Sequence, residues 1–313
     1  MNMKDKISLL IPTMNRPESL KRTLLSYCNG KMLPDQIIIV DQSQEKAISE
    51  DIHHMVDEIG NTYLVDTVYY YQDTPSSTQA RNNALAFARN DIIVYSDDDV
   101  DVYENTLSNV SKLMEDPSVS MIAGIDDNAG SSNSKIGYLI GTKSYRKRKI
   151  GHVTLSVLGR YPKNIQGMVQ TEWAMGFFFV VRKKYLDEWE IKWDENLRSY
   201  AYAEDLDFTY RYYKKSKINN LKCILCDSIR VKHLVSKEYR IPSRKDIYMY
   251  VKNRAYLSYK LKLGLKSAIC MRWTNFWILM RRVVKNEKPS EMFSAIIETE
   301  KEKKLIKSGI LKY

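Results

Sequence analysis

Two kinds of apolar pattern alternate over the first hundred residues. Short continuous apolar runs are separated by longer stretches in which apolar positions recur every three or four residues. Lys6 to Pro12, Gln36 to Asp41 (QIIIVD), Val68 to Gln72 and Asp91 to Ser96 are of the first kind. Runs of that length and composition read as strands buried on both faces. Between them, Arg16-Pro17-Glu18 opens a helix to about Cys28, with Pro17 in the first turn, where its missing N–H does no harm. Further helices are predicted over Glu45 to Ile59, over Ser77 to Ala88 with Ser77 as its cap, and over Glu104 to Met114. A strand from Val119 to Ile125 follows. This rhythm predicts an α/β fold, a mainly parallel sheet with helices on both faces. Such sheets bind ligands beyond the carboxyl ends of their strands, where Asp41 and the triplet Asp97-Asp98-Asp99 fall.

The pattern weakens from Asp126 to Arg160. Gly, Ser and Asn, with the basic run Lys143 to Lys149 (KSYRKRK), predict a long binding loop there. An aromatic-rich element, Glu172 to Arg182, comes next. Glu204-Asp205-Leu206-Asp207-Phe208 then opens a helix ending near Lys215, and a strand-like run extends from Lys222. From Ser243 onward the pattern is helical and includes Met271 to Val284 (MRWTNFWILMRRVV). The expected organisation is a catalytic unit over 1–240, with halves of about 1–125 and 126–240, and a basic helical extension over 241–313.

Composition narrows the classes. With 313 residues and 44% hydrophobic content the chain can bury a substantial core. The polar start, Met1 to Lys6, and the short apolar run after it do not read as a signal peptide. Cys28, Cys223, Cys226 and Cys270 suggest no disulfide framework, which fits a reducing cytosol. Cys223 and Cys226 fall three apart in a strand, facing opposite ways, so they read as structural. The net charge of +11 is uneven. Residues 230–313 hold 21 basic against 7 acidic residues, a surplus of 14, and the rest of the chain is slightly acidic. That asymmetry calls for an anionic partner. No nucleic-acid motif is present, so an anionic membrane surface is the expected one. The turn after the first strand, Ile11-Pro12-Thr13-Met14-Asn15, holds no Gly. It therefore lacks the dinucleotide fingerprint of dehydrogenases and the Gly-rich loop of nucleotidyltransferases.

The chemistry concentrates at two acidic motifs. In a strand, residues i and i+2 share a side, so Asp97 and Asp99 converge and Asp98 points away. Convergent carboxylates at a buried strand end are costly unless a cation or hydrogen bonds compensate them, and Mg²⁺ or Mn²⁺ suits such ligands. A solvated acidic turn is the alternative. Glu204-Asp205 at a helix start fits either a catalytic base, held ionised by the helix N-terminus, or ordinary N-terminal helix charge.

These segments, in order, resemble family 2 glycosyltransferases of the GT-A fold. The resemblance spans roughly residues 6–260 and is carried by IPTMNRPESLKRTLLS, IIIVDQS, TQARNNALAFARNDIIVYSDDDV, TEWAMGFFFVVRKK, AEDLDFTYRYYKKS, the strand to His233, and KNRAYLSYK. It implies transfer of a sugar from a nucleotide-sugar, a UDP-sugar favoured, to a glycan or lipid-linked hydroxyl with inversion, using Mn²⁺ or Mg²⁺. It also implies roles. Pro12, Asp41, Arg81, Asp97 and Asp98 lie on the donor side, with Asp41 at the base edge and Asp97 near the ribose. Asp99 is the metal ligand, and His233 is a second ligand or a structural histidine. Trp173, Gly176 and Glu204 shape the acceptor side, with Trp173 a stacking candidate, and Asp205 is the base. One departure is Gln42, which stands where many relatives carry a second acid. An inactive relative that only binds nucleotide or glycan is the rival reading.

In the C-terminal quarter, Met271 to Val284 wound as a helix places Trp273, Phe276, Trp277, Met280 and Val284 on one face, with Arg272, Arg281 and Arg282 beside it. That is the signature of a helix lying on an anionic bilayer, and it predicts a cytoplasmic protein peripheral to the inner face of the cell membrane. A helix packed on the rest of the protein is the alternative.

Overall fold

The computed structural model describes residues 6–128, 135–143, 149–162, 165–197, 202–235 and 243–313. In chain order the elements are β1 (Ile7–Thr13), α1 (Pro17–Cys28), β2 (Gln36–Asp41), α2 (Lys46–Tyr63), β3 (Asp66–Tyr71), α3 (Ser77–Phe87), β4 (Ile92–Ser96), β5 (Val100–Val102), α4 (Thr106–Met114) and β6 (Val119–Asp126). Then follow α5 (Lys135–Leu139), β7 (His152–Val153), β8 (Gly159–Arg160), β9 (Met168–Gln170), β10 (Phe178–Arg182), α6 (Lys183–Glu188), α7 (Glu204–Ile218) and β11 (Lys222–His233). The chain closes with α8 (Ser243–Lys260), α9 (Gly264–Lys285), α10 (Pro289–Lys301) and α11 (Lys303–Lys307).

The main sheet runs β3-β2-β1-β4-β10-β6-β11-β5, with β9 added on β11. β3, β2, β1 and β4 are parallel, as are β6 and β11. β10 is inserted antiparallel between β4 and β6. The alternation of each strand divides the core between two layers. Ile7, Leu9 and Ile11 face a layer built with Leu20 and Leu24 of α1, Ile52 and Val56 of α2, and Val110 of α4. Leu10, Ile38 and Val40 face the other, against Ala80 and Ala84 of α3 and Phe208 and Tyr212 of α7.

The predicted strands and helices of the first 126 residues stand within a few positions of the observed ones. The cap of α3 is Ser76, not Ser77, since the Ser76 hydroxyl accepts from the Gln79 N–H. Cys223 and Cys226 are free and buried. Most of the basic run, 144–148, and the expected boundary near 240 lie outside the described residues. The C-terminal helices are tied to the rest of the protein by buried polar groups. Lys260 of α8 reaches Asp194 at 2.6 Å and Asp207 at 2.7 Å. Asn253 donates to the Tyr202 carbonyl.

Candidate active site

β4 ends at Ser96 and delivers the acidic triplet to the carboxyl edge of the sheet. β11 pairs antiparallel with β5 so that His233 stands opposite Val100, the residue after Asp99. That register brings His233 Nε2 to 3.2 Å from Asp99 Oδ1. One ligand atom each from Asp97, Asp99 and His233 lies within 4.8 Å of the others. Phe177 stacks on the His233 ring at 5.2 Å and fixes its plane. Burial works against the imidazolium, but the hydrogen bond to Asp99 and the charges of Asp97, Asp99 and Asp126 outweigh it and raise the His233 pKa. Two carboxylates and an imidazole form a donor set that suits Mn²⁺. The described residues offer this one such cluster.

Asp98, expected on the donor side, turns inward as the strand period requires and is buried. Its oxygens take Thr13 Oγ1 at 2.7 Å and Arg16 Nη1 at 3.1 Å. Burial pushes its pKa up to about 7, opposed by Arg16 and Thr13. Arg16 also approaches Asp99 at 3.8 Å. Asp41, expected at a base edge, is wholly buried. One carboxylate oxygen accepts from the Ser43 N–H and hydroxyl and the other from Tyr69 Oη. It therefore shapes the turn after β2. Pro12 lies half-buried in β1, opposite Val40 of β2.

The second acidic motif stands across the cleft. Ala203 caps α7 with φ at 66°, a left-handed conformation costly for a residue with a side chain. This bend turns Glu204 and Asp205 toward Arg81 of α3. Arg81 bridges the two motifs, at 2.9 Å from Asp97 and 3.2 Å from Glu204. Asp205 accepts from the Gly176 N–H at 2.8 Å and the Leu206 N–H at 2.7 Å. Burial nonetheless raises its pKa, with those two N–H bonds and Arg81 opposing and Asp97 adding. Desolvation thus works against the ionised form that the helix N-terminus and its free N–H groups were expected to hold. Burial, then the Asp205 charge, raises Glu204 as well. Gly176 leaves little room for more: a Cβ there would stand 3.3 Å from that of Asp205.

Trp173 is not positioned to stack on an acceptor. It is 6% exposed and packs beneath Gly159, where any Cβ would overlap the indole. Its Nε1 donates to the Arg160 carbonyl, and Tyr161 covers it at 5.0 Å. Sequence reasoning missed Thr13, Arg16 and Tyr69, the partners of Asp98 and Asp41. Arg16-Pro17 at the start of α1 was the available signal, since a helix N-terminus beside a strand end places its residues at the cleft.

The glycosyl transferase family 2 profile matches residues 8–190, more than half of the chain, and the chain belongs to that family. No curated protein sequence matches it. Similar folds among solved structures include a mannosyltransferase, PcManGT from Pyrobaculum calidifontis, in complex with GDP-Man and Mn²⁺. That structure has a TM-score of 0.58 and 13% identity, over 98% of this chain and 83% of that one. GalNAc-T7 with UDP, GalNAc and Mn²⁺ gives 0.57 at 15% identity, over 86% of this chain and 54% of that one. S. aureus TarS, residues 1–349, gives 0.51 at 18% identity, over 89% and 72%. At these identities the likeness is one of fold, and the fold is GT-A. The protein is a glycosyltransferase of family 2.

Proposed function

We propose that the protein transfers a sugar, with inversion, from a nucleotide-diphosphate-sugar to an acceptor hydroxyl, with Asp205 as general base. The observation that carries this reading is the convergence of Asp97, Asp99 and His233 on one side of Arg81, with Glu204 and Asp205 on the other. Asp97, Asp99 and His233 would hold a divalent ion, and Mn²⁺ is present in two of the similar folds; such an ion would supply positive charge for a departing diphosphate. UDP and GDP are both nucleotides of those complexes, and a UDP-sugar is the favoured donor. Pro12 and the turn after β2, braced by Asp41, border the donor, and Asp98 holds Thr13 and Arg16 beneath it.

Asp205 takes the proton of the attacking hydroxyl on the face away from the leaving group, which yields inversion. Its raised pKa makes it a stronger base than a solvated carboxylate. Gly176 and Leu206 aim it, and Glu204 holds Arg81 in place between base and donor. Residues 1–240 form the catalytic unit in this reading, and 241–313 an extension that faces membrane.

α9 supports the last point. Trp273, Phe276 and Val284 are 50%, 48% and 87% exposed, while Trp277 and Met280 are half-buried. Among the described residues no helix is long and apolar enough to cross a membrane. The basic flank is partly neutralised, since Arg272 makes two hydrogen bonds to Glu300 and Arg281 approaches Glu287 at 3.9 Å. A lipid-linked acceptor at an anionic inner leaflet would use this surface.

The test is nucleotide release across a panel of UDP- and GDP-sugars, with Mn²⁺ and with chelator. Asp99→Asn should abolish most turnover while leaving the unfolding transition in place. Full turnover in chelator, or in Asp99→Asn, would contradict the metal reading.

A further inference from the structure

Acidic residues are missing from two long stretches of this chain. Residues 128–171 hold 8 Lys or Arg and residues 247–286 hold 9, with no Asp or Glu in either. All 38 acidic residues lie elsewhere. The positive surplus is therefore not confined to the C-terminal quarter, and a second acid-free stretch sits in the middle of the chain.

The fold brings the two stretches together. Trp273 Nε1 of α9 donates to the Leu139 carbonyl at the end of α5, at 2.9 Å. Gly141, just beyond α5, lies so close to Thr274 of α9 that a Cβ there would overlap the threonine hydroxyl. Ser267 of α9 donates to the Leu155 carbonyl, in the turn between β7 and β8, at 2.7 Å. Arg254 of α8 gives two hydrogen bonds to the Ser156 carbonyl next to it. α5, this turn and the first half of α9 are thus neighbours, although more than a hundred residues of chain separate them.

The same elements expose large apolar side chains. Ile136 and Leu139 of α5 are 71% and 70% exposed, and Leu265 of α9 is 75% exposed. Ile269 and Trp273 follow Leu265 at four-residue steps, so the three form one stripe of α9. Leu155 is exposed as well. Lys135, Lys149, Lys262 and Lys266 are exposed on these elements or at their ends, and none of them makes an ion pair among the described residues. A soluble polyanion would use the charge but not the apolar side chains. An apolar protein partner would not require the absence of acids. An anionic bilayer uses both, the lysines at its headgroups and the apolar side chains beneath them.

We propose that α5, the β7–β8 turn and the first half of α9 form one platform that docks on an anionic bilayer, with Ile136 and Leu139 entering it beside Leu265, Ile269 and Trp273. This rests on the reading of α9 as membrane-facing and adds α5 as a second inserting element.

The test is co-sedimentation of the full chain, at constant low ionic strength, with vesicles of phosphatidylglycerol and phosphatidylcholine and with vesicles of phosphatidylcholine alone. Ile136→Ser with Leu139→Ser should weaken binding to the anionic vesicles by about tenfold or more, because both side chains lose their burial in lipid. Lys135→Glu with Lys266→Glu should weaken it by about tenfold or more through charge. Lys21→Glu with Lys112→Glu makes the same change of net charge on α1 and α4 and should leave it within about twofold. Near-ultraviolet circular dichroism checks that each variant is folded, and the Lys135 and Lys266 variant carries the comparison if the serine variant is not. Binding lost in Trp273→Ala with Trp277→Ala but kept in the serine variant would overturn the platform and leave α9 the membrane element. No binding to any vesicle would overturn both readings. Equal loss in the two charge variants would show a response to net charge alone and overturn the proposal. So would inorganic polyphosphate bound as tightly as vesicles by wild type and serine variant alike.

Discussion

Gly176→Ala isolates the placement of the base from its chemistry. Gly176 does not adopt a left-handed backbone, so alanine is conformationally acceptable there. Its N–H holds Asp205 Oδ2 at 2.8 Å, a bond the substitution keeps. The new methyl would meet Asp205 Cβ at 3.3 Å and Arg81 Nη2 at 3.5 Å. The first contact is tighter than ordinary packing, so the aspartate must give way by a few tenths of an ångström. A misplacement of about 1 Å costs on the order of 10²-fold in rate, so a shift of ~0.3 Å should lower kcat by roughly three- to tenfold. Donor KM should move little, because Asp97 and Asp99 stand beyond Arg81. The assay is steady-state nucleotide release at saturating acceptor, with a urea unfolding curve to show that the fold is intact. An unchanged kcat in a folded Gly176→Ala protein would refute the claim that this crowded contact aims the base.

Three further outcomes follow from the same geometry. Lys260→Met strands Asp207 and Asp194, but Arg211 remains at 2.7 Å from Asp207 and Tyr256 on Asp194. The cost should therefore be about 1–3 kcal/mol, below that of a fully broken buried pair; urea unfolding measures it, and no loss would show that α8 docks by apolar contacts alone. Because burial raises the Asp205 pKa and the base acts deprotonated, kcat should fall with decreasing pH at a limb above the ordinary carboxylate range; an acid limb within or below that range would contradict this. The protein should sediment with anionic vesicles at low salt and much less at high salt, each basic residue near the surface contributing about 1 kcal/mol. Trp273→Ala with Trp277→Ala should weaken that binding without altering the salt slope, and equal binding to neutral vesicles would leave α9 a packing element.

The parallel half of the fold was legible because QIIIVD and IIVYS have no other stable home than a sheet covered on both faces. The antiparallel insertion of β10 was not, since Phe178–Arg182 carries the same apolar run whichever way it pairs. At the site, strand periodicity placed Asp97 and Asp99 together and turned Asp98 in. What it could not supply was the fate of each inward carboxylate. Asp41 is bound by Tyr69 from the neighbouring strand, and Asp98 by Arg16 across 82 residues of chain. Trp173 looked like an acceptor platform because aromatic residues serve cores and sugars alike, and only the approach of Gly159 to its ring decides for the core.

Asp205→Asn is the most direct test of the central claim. It preserves the size of the side chain and one oxygen, so one of the Gly176 and Leu206 N–H groups, which now bind separate carboxylate oxygens, keeps its acceptor, but it cannot take a proton. Turnover should fall by roughly 10²–10⁴, the usual worth of a general base, while donor dissociation measured with Mn²⁺ stays within about twofold, as expected for a group that acts only on the acceptor. Turnover near wild type would remove Asp205 from the chemistry, and a parallel loss of donor affinity would move it to the nucleotide site.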